Sequence, residues 1–296
     1  MSIWLAFLEN LRPRQWTKNL LLFAGVIFAQ ELGNSLCVWR AILGAFVFCF
    51  SSGVIYVFND IADRELDRRH PSKKNRPIAS NRLPLPIALK LGGGLFFICL
   101  LAAWSLGNMF LAGVCLFFLW NWLYTRWLKK VPILDVTGIG ISFVIRATSG
   151  VLVLLPVCPD VRISPWLLLC TFFLSLFLGF SKRRDEFLKI GPLKGDTRPV
   201  LREYTEPMLN AMIGISMGLT TMMYGLYTIW PETIEHFGTN HLIYTIPFVL
   251  AGMGRYLYLV YQEDRGGKPH EILLNDLLLQ ALVLGWITAA IKIIGT

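Results

Sequence analysis

Charge is scarce in this 296-residue sequence, in which 16% of the residues are Asp, Glu, Lys or Arg, against about 25% in typical soluble proteins. Hydrophobic residues make up 55% of the chain. They recur in runs of about 20, the length that crosses a bilayer as a helix. No polar segment is long enough to bury a core of its own. The composition therefore predicts an all-α, polytopic membrane protein with a single transmembrane domain over residues 1–296.

Signatures of several other protein classes are also missing. The four histidines have no zinc-ligand spacing, and the chain has no P-loop, no G-x-S-x-G elbow and no dinucleotide-binding fingerprint. The six cysteines include no C-x-x-C pair and lie in or beside apolar runs, so we expect small core hydrophobes. The net charge of +9 suits anionic lipid headgroups and phosphorylated substrates, and nothing predicts a nucleic-acid partner.

Apolar runs, punctuated by Pro and Gly, predict nine transmembrane helices after an interfacial helix within residues 1–19. The predicted spans are 19–36, 38–58, 86–106, 109–127, 131–155, 163–181, 207–230, 241–261 and 272–294. Two charged loops interrupt them, at 59–85 and 182–206. Each loop follows an even-numbered span, so we expect both on the same side of the membrane.

Lysine and arginine are distributed unevenly between the loops. They concentrate before the first span and after every even-numbered span, and the other loops hold little beyond Arg40 and Arg162. The positive-inside rule then predicts a cytoplasmic N-terminus, an external C-terminus and both charged loops in the cytoplasm. We therefore expect a protein of the cytoplasmic (inner) membrane with its active site facing the cytoplasm. The pattern is compatible with a homo-oligomer.

The most informative stretch is 59–80, N-D-I-A-D-R-E-L-D-R-R-H-P-S-K-K-N-R-P-I-A-S. On one continuous helix, Asp60, Asp63 and Asp67 fall within about 60° of each other, with Asn59 on the adjoining edge. Three carboxylates on one face repel each other unless a cation lies between them. Hard oxygen ligands suit a Mg²⁺ ion that is shared with a substrate phosphate. The alternative is a solvated charge run beside the membrane.

Basic residues near the two charged loops are candidates for phosphate contacts. Three of them follow the acids directly: Lys73, Lys74 and Arg76. At the end of the sixth span, Lys182 and Arg183 are further candidates, with Glu186 orienting them or binding metal. The spacing of Lys182 and Glu186 also allows a simple ion pair at a helix end.

Polar residues inside the predicted spans indicate a cavity. Arg146 lies midway along the fifth span, where an arginine is costly unless it faces a partner or water. Thr148 and Ser149 beside it would form a small polar wall, so we expect Arg146 to line the cavity and bind substrate. Tyr124, near the cytoplasmic end of the fourth span, is a further substrate-binding candidate. Pairing between helices is the alternative for these residues.

The motif N-D-I-A-D-R-E-L-D (59–67) resembles the N-D-x-x-D-x-x-x-D motif of the UbiA superfamily of intramembrane prenyltransferases, and the resemblance covers essentially the whole chain. It implies nine helices around a lipid-accessible cavity, capped by cytoplasmic helical loops. Other segments are similar to one branch, the decaprenyl-phosphate phosphoribosyltransferases. These segments are R-P-R-Q-W-T-K-N (12–19), D-R-R-H-P-S-K-K-N-R-P-I-A (67–79), F-V-I-R-A-T-S-G (143–150), S-K-R-R-D-E (181–186) and R-E-Y-T (202–205).

This resemblance implies a Mg²⁺-dependent transfer of 5-phosphoribose from phosphoribosyl pyrophosphate (PRPP) to a polyprenyl phosphate, with release of pyrophosphate. Asp60, Asp63 and Asp67 would then be the catalytic, metal-binding residues. Arg14 and Lys18 would hold the lipid phosphate. The lipid bilayer and the two substrates are the implied partners.

One departure from the superfamily pattern bears on the choice of substrate. Prenyl-transferring members carry a second acidic motif, D-x-x-x-D, where this chain has S-K-R-R-D-E with Asp185 and Glu186 adjacent. Positive charge at this place suits the 5-phosphate of PRPP. Two other functions stay open: a UbiA-type prenyltransferase that acts on an aromatic or other acceptor, and a lipid or solute transporter without chemistry. A transporter would leave the three clustered acids unexplained.

Overall fold

The computed structural model describes residues 2–69, 71, 73–190, 199–262, 266–267, 272–273 and 275–294. Within these ranges the chain forms helices and turns and contains no β-strand, which confirms the predicted all-α class. The chain divides into two compact units, 1–164 and 165–296. Part of the predicted charged loop at 182–206 lies outside the described residues, because 191–198 are not among them.

Eight of the described helices are long and apolar enough to cross a membrane. They coincide with the second to ninth predicted spans. The helix Ser35–Ala62 ends in the polar residues Asn59 and Asp60, at an end that the sequence predicts to be cytoplasmic. The candidate site is built on that end.

The first unit begins with α1 (Ile3–Asn10), a 3₁₀ helix (Pro13–Leu22) and the short α2 (Phe23–Phe28). Its longest helix is α3 (Ser35–Ala62), which Asn34 caps by accepting hydrogen bonds from the backbone N–H groups of Leu36 and Cys37. The other helices of this unit are α4 (Arg64–Arg69), α5 (Leu85–Leu106), α6 (Asn108–Arg126) and α7 (Leu134–Leu152). Short 3₁₀ turns lie at Glu31–Gly33, Lys73–Asn75 and Leu128–Lys130.

The first predicted span, 19–36, differs from a single continuous helix. The 3₁₀ helix Pro13–Leu22 gives way to α2, which is six residues long. Close packing on α7 accompanies this break: a Cβ on Gly25 would collide with the backbone of Gly150, and a Cβ on Gly150 with the backbone of Leu22. Glycines allow two backbones to approach this closely within a membrane bundle.

Two apolar clusters hold the first unit together. In the larger one, Phe48 of α3 packs against Phe110 and Phe117 of α6, with ring centroids 5.9 and 5.0 Å apart. In the smaller one, Phe7 and Leu11 pack with residues of α3, of α5 and of the loop between them. This second cluster fixes the N-terminal segment beside the acid-bearing end of α3.

A disulfide between Cys37 and Cys158 links the start of α3 to the turn that follows α7. The expectation that every cysteine is a core hydrophobe is therefore wrong for this pair. The two residues are 121 positions apart, so only the packing of α3 with α7 brings them together. The other four cysteines are free thiols: Cys49, Cys99, Cys115 and Cys170.

The second unit contains α8 (Pro165–Ile190), which packs against α9 (Glu206–Ile229), followed by three further helices. These are α10 (Pro231–Phe237), α11 (Ile246–Gln262) and α12 (Leu277–Ile294). Since α8 continues to Ile190, the run S-K-R-R-D-E lies within this helix rather than after it. Arg255 of α11 pairs with Asp276, just before α12, at 2.8 Å.

Candidate active site

The three acids of the first motif lie where the chain passes from α3 to α4. α3 ends at Ala62, Asp63 caps it with φ −96° and ψ 7°, and Asp67 belongs to α4. The backbone N–H of Asp67 still bonds the carbonyl of Asp63 at 2.8 Å, so the path is helical but bent. The predicted single helical face is therefore broken at Asp63, which turns that side chain away from the other two.

Two arginines hold the buried carboxylates of Asp60 and Asp67. Arg76 Nη1 donates to Asp60 Oδ1 at 3.0 Å and to Asp67 Oδ2 at 2.7 Å. Arg12 Nη2 donates to the same Asp60 oxygen, and its guanidinium lies 4.7 Å from the centre of the Tyr56 ring. Asp60 is 3% exposed, so this is a charge network with little solvent around it.

Asp63 and Asn59 face α6 and the turn that follows it. Lys129 Nζ lies 2.7 and 2.9 Å from the two carboxylate oxygens of Asp63. Thr125 donates its hydroxyl proton to Asn59 Oδ1 at 2.5 Å. The motif is thereby tied to a segment 66 residues further along the chain.

The donor set of this cluster suits a hard divalent cation. Asp60 Oδ2 is buried and accepts no hydrogen bond from the described part of the chain, so one carboxylate oxygen has an open lone pair. The ligand atoms on offer are carboxylate oxygens, which Mg²⁺ prefers. The three carboxylates do not converge within 4.8 Å of each other. In the described ranges only Glu31, Cys37 and Cys158 do so, and two of these form the disulfide.

Of the predicted phosphate-binding bases in the first loop, Arg76 reaches the acids directly. Lys73 and Lys74 lie in the 3₁₀ turn just before it, and Lys74 is exposed. The structure thus places Arg76 in contact with the acidic motif.

Arg146 of α7 lies in a buried polar patch deeper in the first unit. Its Nε donates to Asn19 Oδ1 at 3.0 Å, and its Nη1 donates to the carbonyl and hydroxyl oxygens of Ser142 at 2.9 and 3.0 Å. The guanidinium lies 4.5 Å from the centre of the Phe117 ring. Its described partners are all neutral, so the charge of this buried cation has no carboxylate beside it in the described structure. A buried cation without a counter-ion favours an anionic ligand.

The 3₁₀ helix Pro13–Leu22 carries the other predicted bases of this region. Arg14 is exposed. Lys18 has an accessible surface but is closely surrounded by protein. Loss of solvation, followed by the charges of Arg146 and Arg12, lowers the pKa of Lys18 to about 8. The positive charges of Arg146 and Arg12 are therefore close enough to Lys18 to lower its pKa.

Tyr124 of α6 packs against α7. A Cβ on Gly138 would lie 2.8 Å from its Cδ2 atom, so the ring fills a place that only glycine leaves open. This contact corresponds to the helix-packing alternative, and the role of Tyr124 in substrate binding stays a prediction.

The polar cluster of the second unit lies on the last turns of α8. Lys182 is exposed, with its Nζ 4.0 Å from Glu186 Oε1, whereas Arg183 is buried and donates to Glu186 Oε2 at 2.9 Å. Arg184 donates to Asn210 at 2.8 Å and lies 4.2 Å from the centre of the Tyr261 ring. Lys182 is therefore the base of this run that is most open to solvent, and the contacts of Arg183 and Glu186 with phosphate or metal stay predictions.

Three residues of the site were missed as ligand candidates by the sequence reasoning: Arg12, Thr125 and Lys129. Arg12 had only the weak signal of a basic cluster before the first span. Lys129 is one of several basic residues at the end of the fourth predicted span, and nothing in the sequence distinguishes it from the others. Their partners lie 48 and 66 residues away, so no local spacing could reveal them.

A known protein family and several known enzymes are similar to this chain. Residues 19–274 match the UbiA prenyltransferase family. The chain is 32% identical over 294 residues to the decaprenyl-phosphate phosphoribosyltransferase of Corynebacterium glutamicum, covering 95% of this chain and 84% of that protein. It is 32% identical over 293 residues to the enzyme of the same name from Mycolicibacterium smegmatis, covering 95% and 89%.

A solved structure with the same fold is a UbiA homolog from Archaeoglobus fulgidus bound to GPP and Mg²⁺. It has a TM-score of 0.72 and 18% identity, and the match covers 98% of this chain and all of that one. At this identity the likeness concerns the fold alone. The family match and the identity to the two enzymes lead to one conclusion: the chain belongs to the UbiA prenyltransferase family.

Proposed function

We propose that this membrane protein transfers 5-phosphoribose from PRPP to a polyprenyl phosphate and releases pyrophosphate. The bond from ribose C1 to the pyrophosphate oxygen breaks, and a bond from C1 to an oxygen of the lipid phosphate forms. Pyrophosphate leaves with the electron pair. The observation that carries the proposal is the cluster of paired acids and bases at the end of α3, in a chain 32% identical to enzymes named for this reaction.

The residues of the cluster are assigned as follows. Asp60, Asp67 and Asp63 would hold Mg²⁺, which would supply neutralisation of the charge that develops on the leaving pyrophosphate. Arg76, with Lys73 and Lys74 before it, would contact the diphosphate oxygens. Positioning and electrostatics account for most of the rate, because a phosphate monoester is already an anionic nucleophile at neutral pH.

The polar patch around Arg146 is assigned to the lipid phosphate. Arg146 and Lys18 are two cations whose charges act on the same space, and Asn19 already orients the guanidinium of Arg146. Arg14, on the exposed side of the same 3₁₀ helix, would assist them. Lys182 remains a candidate for the 5-phosphate of PRPP on the charge argument, with Arg183 and Glu186 beside it.

The protein is assigned to the inner membrane with a cytoplasmic active site, N-terminus inside and C-terminus outside. The loop charges support this orientation. The disulfide supports it as well, because Cys37 precedes Asp60 by 23 residues on α3, about 35 Å along a helix. Disulfides persist in oxidising compartments, and the cytoplasm is reducing.

The decisive experiment supplies purified protein in lipid nanodiscs with Mg²⁺, labelled PRPP and polyprenyl phosphate, and then extracts the lipid. We expect label in the lipid fraction and stoichiometric release of pyrophosphate. The same protein should not use geranyl diphosphate with an aromatic acceptor. Turnover of geranyl diphosphate without turnover of PRPP would replace this proposal with a prenyltransferase.

A further inference from the structure

Each acid of the first motif is paired with a base from a different part of the chain. Arg12 precedes the 3₁₀ helix, Arg76 follows α4, and Lys129 follows α6. We call these three residues the counter-ion set. Three positive charges face the three carboxylates of Asp60, Asp63 and Asp67, so the cluster is electrically balanced by the protein itself.

The counter-ion set opposes the binding of a cation at the three acids. A divalent cation and the counter-ion set compete for the same carboxylate oxygens, and they also repel each other at short range. Binding of the cation alone must therefore break or weaken these ion pairs, in which the carboxylates of Asp60 and Asp67 are buried. Breaking such pairs is costly when the displaced bases find no new anion.

A phosphorylated ligand changes this balance. Its oxygens offer the displaced bases new charge-assisted hydrogen bonds, which are among the strong ones in proteins. Lys129 and Arg76 are partly exposed, with 21% and 28% of their side-chain surface accessible, so they can reorient toward a bound ligand.

We propose that the counter-ion set exchanges partners on ligand binding, moving from the carboxylates to the ligand's phosphate oxygens as the divalent cation takes the carboxylates. Asp60 Oδ2 is the first contact point, because it is buried and accepts no hydrogen bond from described residues. The cation and the diphosphate then bind with positive coupling, and neither binds tightly alone. The identity of the diphosphate rests on the proposed function, whereas the exchange itself does not require turnover.

The backbone conformation of Arg12 and its contact with Tyr56 favour such an exchange. Its backbone is in the left-handed region, with φ 53° and ψ 61°, directly before Pro13. This backbone conformation is energetically unfavourable for a non-glycine residue. Strain of this kind concentrates at ligand-binding sites. The guanidinium is also supported by the ring of Tyr56, which keeps it oriented when its carboxylate partner changes.

The test uses Lys129→Met, which removes one member of the counter-ion set and keeps the apolar stem. Binding of Mn²⁺, a probe for Mg²⁺, is measured by electron paramagnetic resonance without any phosphate. We expect Lys129→Met to bind Mn²⁺ about tenfold more tightly than wild type, because Asp63 no longer pairs with Lys129. Binding of Mn²⁺–pyrophosphate, measured by calorimetry, should instead weaken about tenfold.

Lys130→Met is the matched control, because Lys130 is exposed and adjacent in the same turn, yet makes no ion pair with the three acids. It should leave both affinities unchanged. Opposite changes for the two ligands are the signature of exchange. A purely structural Lys129 would leave Mn²⁺ affinity equal or lower, and that result would overturn the proposal.

Wild-type protein gives a second test if Lys129→Met fails to fold. Wild type should bind Mn²⁺–pyrophosphate at least a hundredfold more tightly than Mn²⁺ alone. Equal affinities would contradict the exchange. These titrations contain no lipid acceptor and no PRPP, so a failed exchange and a failed transferase assay are separate outcomes.

Discussion

Asp60 combines two properties that a structural carboxylate does not need. One of its oxygens accepts from two arginines, while the other is buried without a described donor. Burying a carboxylate oxygen in this way is costly. A ligand that uses the open oxygen would offset this cost, which makes Asp60 the most informative single residue to change.

We expect Asp60→Asn to lower the rate of phosphoribosyl transfer by more than about tenfold, because a lost metal ligand removes several kcal/mol of transition-state stabilisation. Glu65→Gln is the matched control, since Glu65 lies in the same motif but its side chain is 71% exposed. Turnover of PRPP and the melting temperature are measured for both purified variants. A wild-type rate in folded Asp60→Asn would remove Asp60 from the site.

Lys18 should give the reaction a basic pH limit. Loss of solvation among the surrounding protein atoms, followed by the charges of Arg146 and Arg12, lowers the pKa of Lys18 to about 8, so it is cationic below that pH and neutral above it. The lipid phosphate is already fully ionised there. We expect kcat/KM for polyprenyl phosphate to fall as the pH rises through about 8, measured at saturating PRPP.

Two variants separate Lys18 from other groups that titrate in this range. Lys18→Met should lower kcat/KM at neutral pH and abolish the fall at basic pH. Lys18→Arg keeps its charge and should move the fall to higher pH. An unchanged pH profile in Lys18→Met would exclude Lys18 as the titrating group.

The limits of sequence reasoning are clear for single residues. The acids and Arg146 could be selected as candidates because polar and charged side chains are unusual in or beside apolar runs, and this contrast is visible in the sequence. Their partners could not be, since Lys129 and Asp63 meet only after α3 and α6 pack together. Side-chain pairing over long chain distances is a property of the tertiary structure.

The 3₁₀ helix Pro13–Leu22 and α2 pack closely against α7 at two glycines. Gly150 lies against the backbone of Leu22, and Gly25 lies against Gly150. In this arrangement Asn19 lies next to Arg146 and accepts a hydrogen bond from it. Helices were predictable from apolar runs, whereas this broken segment was not, because its interruption follows from backbone contact rather than from composition.

Gly150→Ala should therefore push this segment away from α7. We expect a lower melting temperature and at least about a tenfold loss of kcat/KM for the lipid substrate, because Asn19 and Lys18 are displaced from Arg146. Gly218→Ala on α9 is the control, since a Cβ there meets nothing within 4 Å. Equal activity in the two variants would show that the segment tolerates displacement.

Two neighbouring bases near the end of α8 differ in their exposure to solvent. Lys182 is open to solvent, whereas Arg183 is buried against Glu186. A charge-assisted contact with a phosphate contributes about 1.5–3 kcal/mol. We expect Lys182→Ala to raise KM for PRPP by about ten- to a hundredfold, with a much smaller change for polyprenyl phosphate.

Arg183→Ala should act differently from Lys182→Ala. Its removal breaks the 2.9 Å pair with Glu186, so thermal stability should fall along with any loss of affinity for PRPP. If both variants keep a wild-type KM for PRPP, the assignment of this cluster to the 5-phosphate is wrong. Steady-state kinetics and melting curves on the same preparations make this comparison.

At the scale of the whole molecule, the proposed orientation in the membrane can be compared with the positions of the loop arginines in the structure. The loop charges predict which helix ends are cytoplasmic, with Arg40 and Arg162 as the main exceptions in the other loops. In the structure Arg40 is used internally, since it donates to the carbonyl oxygens of Val153 and Leu106. The position of Arg40 therefore has a structural cause, whereas Arg162 is exposed and stays an exception.

The disulfide allows this orientation to be tested. Cys37 and Cys158 lie at the opposite end of α3 from Asp60, and an oxidising environment is required to keep them bonded. In a variant whose four free cysteines are replaced by Ala, membrane-impermeant maleimide should label intact cells only after an impermeant reductant is added. Cys37→Ser in the same background should label without reductant, because Cys158 is then a free thiol. Labelling that requires permeabilised cells, with or without reductant, would place this end in the cytoplasm and reverse the proposed orientation of the active site.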